Sequence, residues 1–191
     1  MTQTATTTPL DLPEGWLIRD ADPDRDAAAC LEIYRPAITE GATSFEEVVP
    51  SVPEFAERIR KAGRSHAWLV MEDHGRVVGY AYASAHQARA AYRWAANVSV
   101  YVAPTHWRSG VGRRLYAALF DRMRARHYQV LCAGITVPNE RSVGLHRAMG
   151  FEEVGTYKRI GYKLGAWHDV VWLQLELERA TAERPTEPAG D

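Results

Sequence analysis

Cysteine is almost missing from the chain: only Cys30 and Cys132 occur among 191 residues. Two such residues, in stretches that read as a helix and a strand, cannot staple a secreted scaffold, and no zinc-type spacing is present. They read as buried thiols in a reducing compartment. Net charge is missing too. The 23 basic and 24 acidic side chains leave a formal charge of −1, so nothing draws the chain generally toward nucleic acid or anionic lipid. No apolar run approaches the ~20 residues that cross a bilayer. The Thr-rich start, residues 1–13, has no charged segment followed by an apolar one, as a signal peptide would. The expectation is a soluble, cytoplasmic protein that binds neither membrane nor nucleic acid and holds no metal.

What is present is an ordinary globular balance, 46% apolar and 25% charged, enough for one domain with a sizeable core. Residues 1–14 and 179–191 offer little to bury and read as disordered tails around a domain at 15–178. Strand and helix signals alternate between them. Residues 16–18 read as a short strand. Asp22-Pro23 opens a helix that Pro36 should end. Ser51 caps a second helix through about Lys61. A hairpin comes next at 66–71 and 77–85, turning at Asp73-His74-Gly75. Strands are expected at 97–102, 130–136, 154–163 and 170–177, and helices at 110–127 and 139–149. The first of these helices places Leu115, Leu119 and Met123 in one row. The order predicts a mixed α/β (α+β) sheet with helices packed on it.

Chemistry concentrates where the 97–102 strand ends. There Arg108-Ser-Gly110-Val-Gly112-Arg113 runs into a helix. Glycines at a helix start let backbone approach a ligand closely, and the unpaired first-turn N–H groups favour a phosphate. The third glycine of a dinucleotide fingerprint is replaced by Leu115, and no Gly-Lys-Ser/Thr comes after it, which excludes the Rossmann and P-loop readings. A bare G-x-G is weak by itself. About 30 residues on come Asn139, Ser142, Leu145, His146 and Gly150-Phe151, then a block of Gly161, Tyr162, Lys163, Gly165, Trp167, Asp169 and Val170.

Strand, R-x-G-x-G, helix, strand and N-x-x-S-x-x-L-H-x-x-x-G-F together resemble the GNAT superfamily of acyl-CoA-dependent N-acetyltransferases. The likeness runs from Leu17 to Leu177 and is nearest to the phosphinothricin and methionine sulfone (or sulfoximine) subgroup. It implies the GNAT fold, acetyl-CoA as co-substrate, and no metal or covalent enzyme intermediate. It implies that Val100, Tyr101 and Val102 lie along the pantetheine arm, with Tyr101 near the thioester carbonyl. Arg108, Ser109, Gly110, Val111, Gly112 and Arg113 would form the pyrophosphate cradle, and Asn139 would bond the cofactor. His146 would stand near the leaving thiolate, and Gln87, Ala88, Arg89 and Tyr92 would meet the acceptor. Trp167 and Asp169 would serve the fold or a dimer surface, so a homodimer is expected.

The resemblance has two departures: in Gln87-Ala88-Arg89 the Arg stands one or two positions away from where relatives often carry it, and the other lies at the centre of the site. The subgroup commonly carries Glu, its favoured base, where this chain has Asn97; an amide can orient an ammonium but has no useful proton affinity. Amines of pKa ~8–10 must lose a proton before attack, which costs roughly 1.4–4 kcal/mol at pH 7. The expectation is direct attack on the thioester through a tetrahedral intermediate, with Asn97 orienting the amine while water and His146 handle the proton. The acceptor implied is a small amino-acid-like amine of the phosphinothricin or methionine sulfoximine type. Aminoglycosides, polyamines, protein N-termini, or a non-catalytic acyl-CoA-binding module stand as alternatives.

Overall fold

Among the described residues seven strands form one sheet: β1 (Trp16–Asp20), β2 (Ala67–Asp73), β3 (Arg76–Ala85), β4 (Ala95–Val102), β5 (Val130–Val137), β6 (Glu152–Lys163) and β7 (Ala166–Glu176). Their order is β1-β2-β3-β4-β5-β7-β6. Every neighbouring pair is antiparallel except β4 and β5. The computed structural model describes residues 12–178 and 183–189. Most of the expected tails, residues 1–11, 179–182 and 190–191, lies outside these.

Four α-helices of the described residues cover the sheet: α1 (Pro23–Thr39), α2 (Val52–Ser65), α3 (Val111–Ala125) and α4 (Glu140–Ala148). Their starts obey the sequence chemistry. The Asp22 side chain accepts from the Asp24 and Arg25 amides, and Ser51 forms a capping box with Glu54, each satisfying otherwise unpaired first-turn donors. Pro36 does not end α1, contrary to expectation. It falls in the last turn, where its own carbonyl still accepts from Glu40 N at 2.9 Å and the buried Ile38 anchors the chain beyond it. The cost of a mid-helix proline is thereby mostly avoided.

Alternation along the strands builds two cores. On one face, Leu115, Leu119 and Met123 of α3 pack against Ala96 and Val98 of β4 and Leu131 and Leu173 of β5 and β7. On the other, Leu31 and Ile38 of α1 and Phe55 and Ile59 of α2 close over Trp68, Val70 and Tyr80. Beyond β5, Tyr157 is exposed on that second face, while Tyr162 and Trp167, paired with each other near the hairpin turn, are exposed on the opposite one. The far hairpin is tied back by the buried Lys163. Its ammonium donates to the Ile38 carbonyl at 2.7 Å and the Ser44 carbonyl at 2.6 Å.

Residues 183–189, expected to be disordered, have named partners. Trp94 Nε1 donates to the Thr186 carbonyl at 2.9 Å, and Glu187 takes Arg93 at 2.8 Å as well as Arg184. The Arg93 and Arg184 guanidinium carbons lie 5.3 and 5.7 Å from the Trp94 ring centroid. A composition poor in apolar residues could not announce an anchor made of one indole and one ion pair to the body of the domain.

Losing Lys163 leaves two buried carbonyls without a donor, each worth about 1–3 kcal/mol. Lys163→Met should therefore destabilise the fold by about 2–4 kcal/mol in urea titrations. The control is Lys158→Met, which breaks a solvent-exposed pair with Asp169 and should cost under ~1 kcal/mol.

Candidate active site

The two parallel strands share only Ala95–Val130, Ala96–Leu131 and Asn97–Cys132. Beyond Asn97 they part. β4 stays paired with β3 through Val102 and β5 with β7 through Val137, so each remains a formed strand while the space between them opens. Backbone groups alternate sides along a strand. Ala103 N–H points to β3, donating to the Val78 carbonyl at 2.9 Å, so Val100 and Val102 turn theirs toward the gap. The Val102 carbonyl is occupied by Trp107 Nε1 at 2.9 Å. Val100 thus offers the free backbone edge. Tyr101, expected beside the thioester carbonyl, directs its backbone to β3, and its carbonyl lies against Gly79.

The gap opens into a cavity of about 730 Å³ whose walls include Val100, Tyr101, Val102, Arg108, Gly110, Val111, Gly112, Arg113 and Asn139. Nearly all the residues expected to hold the cofactor are therefore gathered in one place. Ser109 is the exception: it does not line the cavity, and its hydroxyl donates to the His106 carbonyl at 2.6 Å. The opposite wall comes from α1 and the segment after it, with Ile33, Pro36, Ala37, Glu40, Gly41 and Thr43. Nothing local in the sequence announced that wall.

At the mouth, Arg108 (φ 63) and Gly110 (φ 88) both take left-handed backbone conformations, which swing the loop into α3. Gly110 is the N-cap and has no side chain to satisfy the first-turn amides. Those of Val111, Gly112 and Arg113 stay available, with the positive end of the helix dipole behind them. A Cβ on Gly112 would sit 3.2 Å from Leu145 and 3.8–3.9 Å from Val102 and Val100; the missing side chain keeps this cradle open. The Arg141 guanidinium stacks on Trp107 at 3.8 Å, adding fixed positive charge at the rim. The Asn139 side-chain oxygen caps α4 by accepting from Ser142 N at 3.1 Å, so only its amide N–H groups remain for a ligand.

The remaining expected residues lie elsewhere. His146 is 4% exposed and absent from the cavity wall. Its Nε2 meets the Tyr116 hydroxyl at 2.9 Å and its Nδ1 the Ser142 carbonyl at 2.8 Å, while Phe151 packs edge-on at 5.1 Å. Burial holds its pKa below the ordinary value, partly opposed by the Ser142 carbonyl. Both ring nitrogens are engaged, so the geometry casts this imidazole as a core strut of α4 and not as a proton carrier. Gln87, Ala88, Arg89 and Tyr92 border a separate opening of about 310 Å³ next to the start of β4. Between these regions, a third hollow of about 390 Å³ lies over β3, walled by Tyr34, Phe55, Trp68, Tyr80 and Tyr82 with Ser84 and Ala85 at one end. Tyr34 and Tyr101 meet edge-on at 4.9 Å and separate it from the cofactor-sized cavity.

Residues 20–172 match the acetyltransferase (GNAT) domain. The chain belongs to the GNAT acetyltransferase family. Among its GNAT relatives is the phosphinothricin N-acetyltransferase of Streptomyces viridochromogenes, 36% identical over 163 residues, covering 85% of this chain and 89% of that protein. The L-methionine sulfoximine/L-methionine sulfone acetyltransferase of Salmonella typhimurium is 33% identical over 166 residues, 86% of this chain and 96% of that one. A phosphinothricin acetyltransferase from Sinorhizobium meliloti, solved in complex with acetyl-CoA, superposes with a TM-score of 0.84 at 36% identity, over 91% of this chain and 94% of that one. This chain is an acetyltransferase of the GNAT type with the GNAT fold. Among the described residues no group of three or more His, Cys, Asp or Glu side chains could hold a metal.

If His146 is a strut, its loss should appear in stability. A neutral buried imidazole whose folded pKa is depressed disfavours protonation of the native state, so wild-type stability should fall as pH drops below ~6.5. His146→Ala should lower stability by about 2–4 kcal/mol at pH 7.5 and flatten that acid dependence. Turnover per folded molecule should stay within a few-fold. A loss of 100-fold or more in kcat with unchanged stability would return His146 to the reaction.

Proposed function

We propose that the protein transfers the acetyl group of acetyl-CoA to the primary amine of a small amino-acid-like acceptor carrying an acidic group, of the phosphinothricin or methionine sulfoximine type. The observation that carries this is the parting of β4 from β5 directly above a helix start with unpaired amides. It pairs an extended edge for a pantetheine-like arm with a cradle for pyrophosphate. The residues present fit acetyl-CoA: the empty Cβ position at Gly112 leaves room for phosphate oxygens, and Arg108, Arg113 and Arg141 border the same cavity.

In this reading the amides of Val111, Gly112 and Arg113 hold the pyrophosphate, and Val100 aligns the pantetheine amide by strand-like hydrogen bonds. Acetyl-CoA supplies the acyl group as an activated thioester. The protein's work is then to bring the amine close, orient it and remove its proton, with proximity supplying much of the rate. Asn97, at the floor of the gap where the strands join, would orient the amine. The hollow beside Tyr82 and Ser84 would receive the acceptor's apolar portion. Arg89, exposed at the neighbouring opening, would take its acidic group as a charge-assisted donor. A homodimer, with the exposed Trp167 of the β6–β7 hairpin at the contact, belongs to the same proposal.

A panel of amines supplied with acetyl-CoA tests the reading. Phosphinothricin, methionine sulfoximine and methionine sulfone should be acetylated in preference to polyamines, aminoglycosides and peptides. Arg89→Ala should raise KM for the acidic acceptors about 10-fold or more with kcat little altered, since a charge-assisted contact is worth more than a neutral bond's ~1 kcal/mol. Turnover of peptides or aminoglycosides alone would overturn the acceptor class.

A further inference from the structure

We propose that His86 is the base that accepts the amine's proton, and that Asn97 positions it by fixing its tautomer. The inference rests on the acetyltransferase reading and names the group that reading leaves open.

Acylation needs a neutral amine, and the other titratable groups near the floor of the gap are poor acceptors. Glu46 is held below its usual range by the bidentate Arg58 and by the Tyr34 hydroxyl. Burial pushes the Tyr34, Tyr82 and Tyr101 phenols and the Cys132 thiol upward, so they stay protonated. Burial and the nearby Arg126 push His66 down to about 4. His146 is committed to Tyr116 and Ser142.

His86 differs from all of these. It comes directly after β3, past the final β3–β4 pairs Ser84–Asn97 and Ala85–Ala96. Its Nδ1 lies 2.8 Å from the Asn97 side-chain oxygen. An amide oxygen can only accept, so Nδ1 carries the hydrogen and the lone pair is on Nε2. Among the described residues nothing bonds to Nε2. Tyr92 at 5.8 Å and Trp172 at 5.9 Å meet the ring edge-on, fixing its plane without occupying that nitrogen. The side chain is half-buried. The groups packed on it, Asn97 from β4, Tyr92 from the preceding turn and Trp172 from β7, are all uncharged. The cations of the same loop are Arg89, at the rim, and Arg93, which is paired with Glu187.

The step balances with these groups alone. Nε2 takes one proton from the ammonium, freeing the nitrogen lone pair. That pair forms the N–C bond to the acyl carbon, and the C–S bond breaks with its electrons going to sulfur. The second proton lost from nitrogen goes to the thiolate through water, and His86 returns its own proton to solvent. When Nε2 is protonated, the Nδ1–H bond to Asn97 becomes charge-assisted and shorter. An amide therefore serves this position without being a base itself.

The test uses an acceptor that the wild type turns over. His86→Ala should lower kcat by about 100-fold or more, leave the calorimetric Kd for acetyl-CoA within two-fold, and regain rate when free imidazole is added. His86→Gln, which keeps a donor for Asn97 but no base, should lose as much. The acid limb of the wild-type kcat/KM profile should disappear in both variants. Independently of turnover, 15N NMR of the wild type above pH 8 should show the Nδ1–H tautomer at His86, and Asn97→Leu should abolish that preference. A kcat within three-fold in His86→Gln, an unchanged acid limb, or a dominant Nε2–H tautomer each overturns the proposal while the acetyltransferase reading stands. A wild type that acetylates no amine overturns both.

Discussion

Two strands that share three residue pairs and then separate set the terms for everything around them. Parallel strands normally stay together because each needs the other's hydrogen bonds. Here each has a second partner, β3 for β4 and β7 for β5, so the sheet survives the opening. The exposed edge is then not a defect: it is one strand-like row of donors and acceptors, Val100 foremost, facing a space that α1 and the α3 loop enclose. An extended ligand with amide groups is the chemical complement of such an edge.

The opening also sorts the site's chemistry by place. Unpaired backbone amides, the cradle of the proposed reading, collect at the wide end, where α3 begins at Gly110. Asn97, His86 and the tyrosine-lined hollow, to which the proposal gives the acceptor, collect at the closed end. Between them Tyr34 and Tyr101 touch, and Tyr34 in turn bonds Ser44 and Glu46. Ser44 is also held by Lys163. Thus the segment after α1, which forms one wall of the cavity, is fastened both to α1 through Tyr34 and to the β6–β7 hairpin through Lys163. Positions of wall and floor are coupled through a few polar bonds, each buried enough to be costly to break.

Much of this could be read from the sequence, for physical reasons that differ by element. Asp22, Ser51 and Asn139 announced helix starts because capping is local chemistry. The glycine-opened helix start was legible because the left-handed backbone at Gly110 and the close packing at Gly112 both favour a residue without a side chain. Pro36 misled because its effect depends on how near the helix end it falls and on the packing of Ile38. For His146 the motif position gives nearness to the cavity, while the direction of its ring, turned inward toward Tyr116, is invisible to spacing. His86 was missed for the opposite reason. It belongs to no local pattern, and only the β3–β4 register brings it against Asn97.

The most direct test of the central claim is amide hydrogen exchange at single-residue resolution, with and without acetyl-CoA. If the parted edge and the helix start hold the cofactor, added protection should appear at Val100 and at Val111, Gly112 and Arg113. Ala103, already bonded to the Val78 carbonyl, should change little, as should the amides of β6. Protection confined to other segments, with Val100 and the α3 start unchanged at saturating acetyl-CoA, would contradict the account.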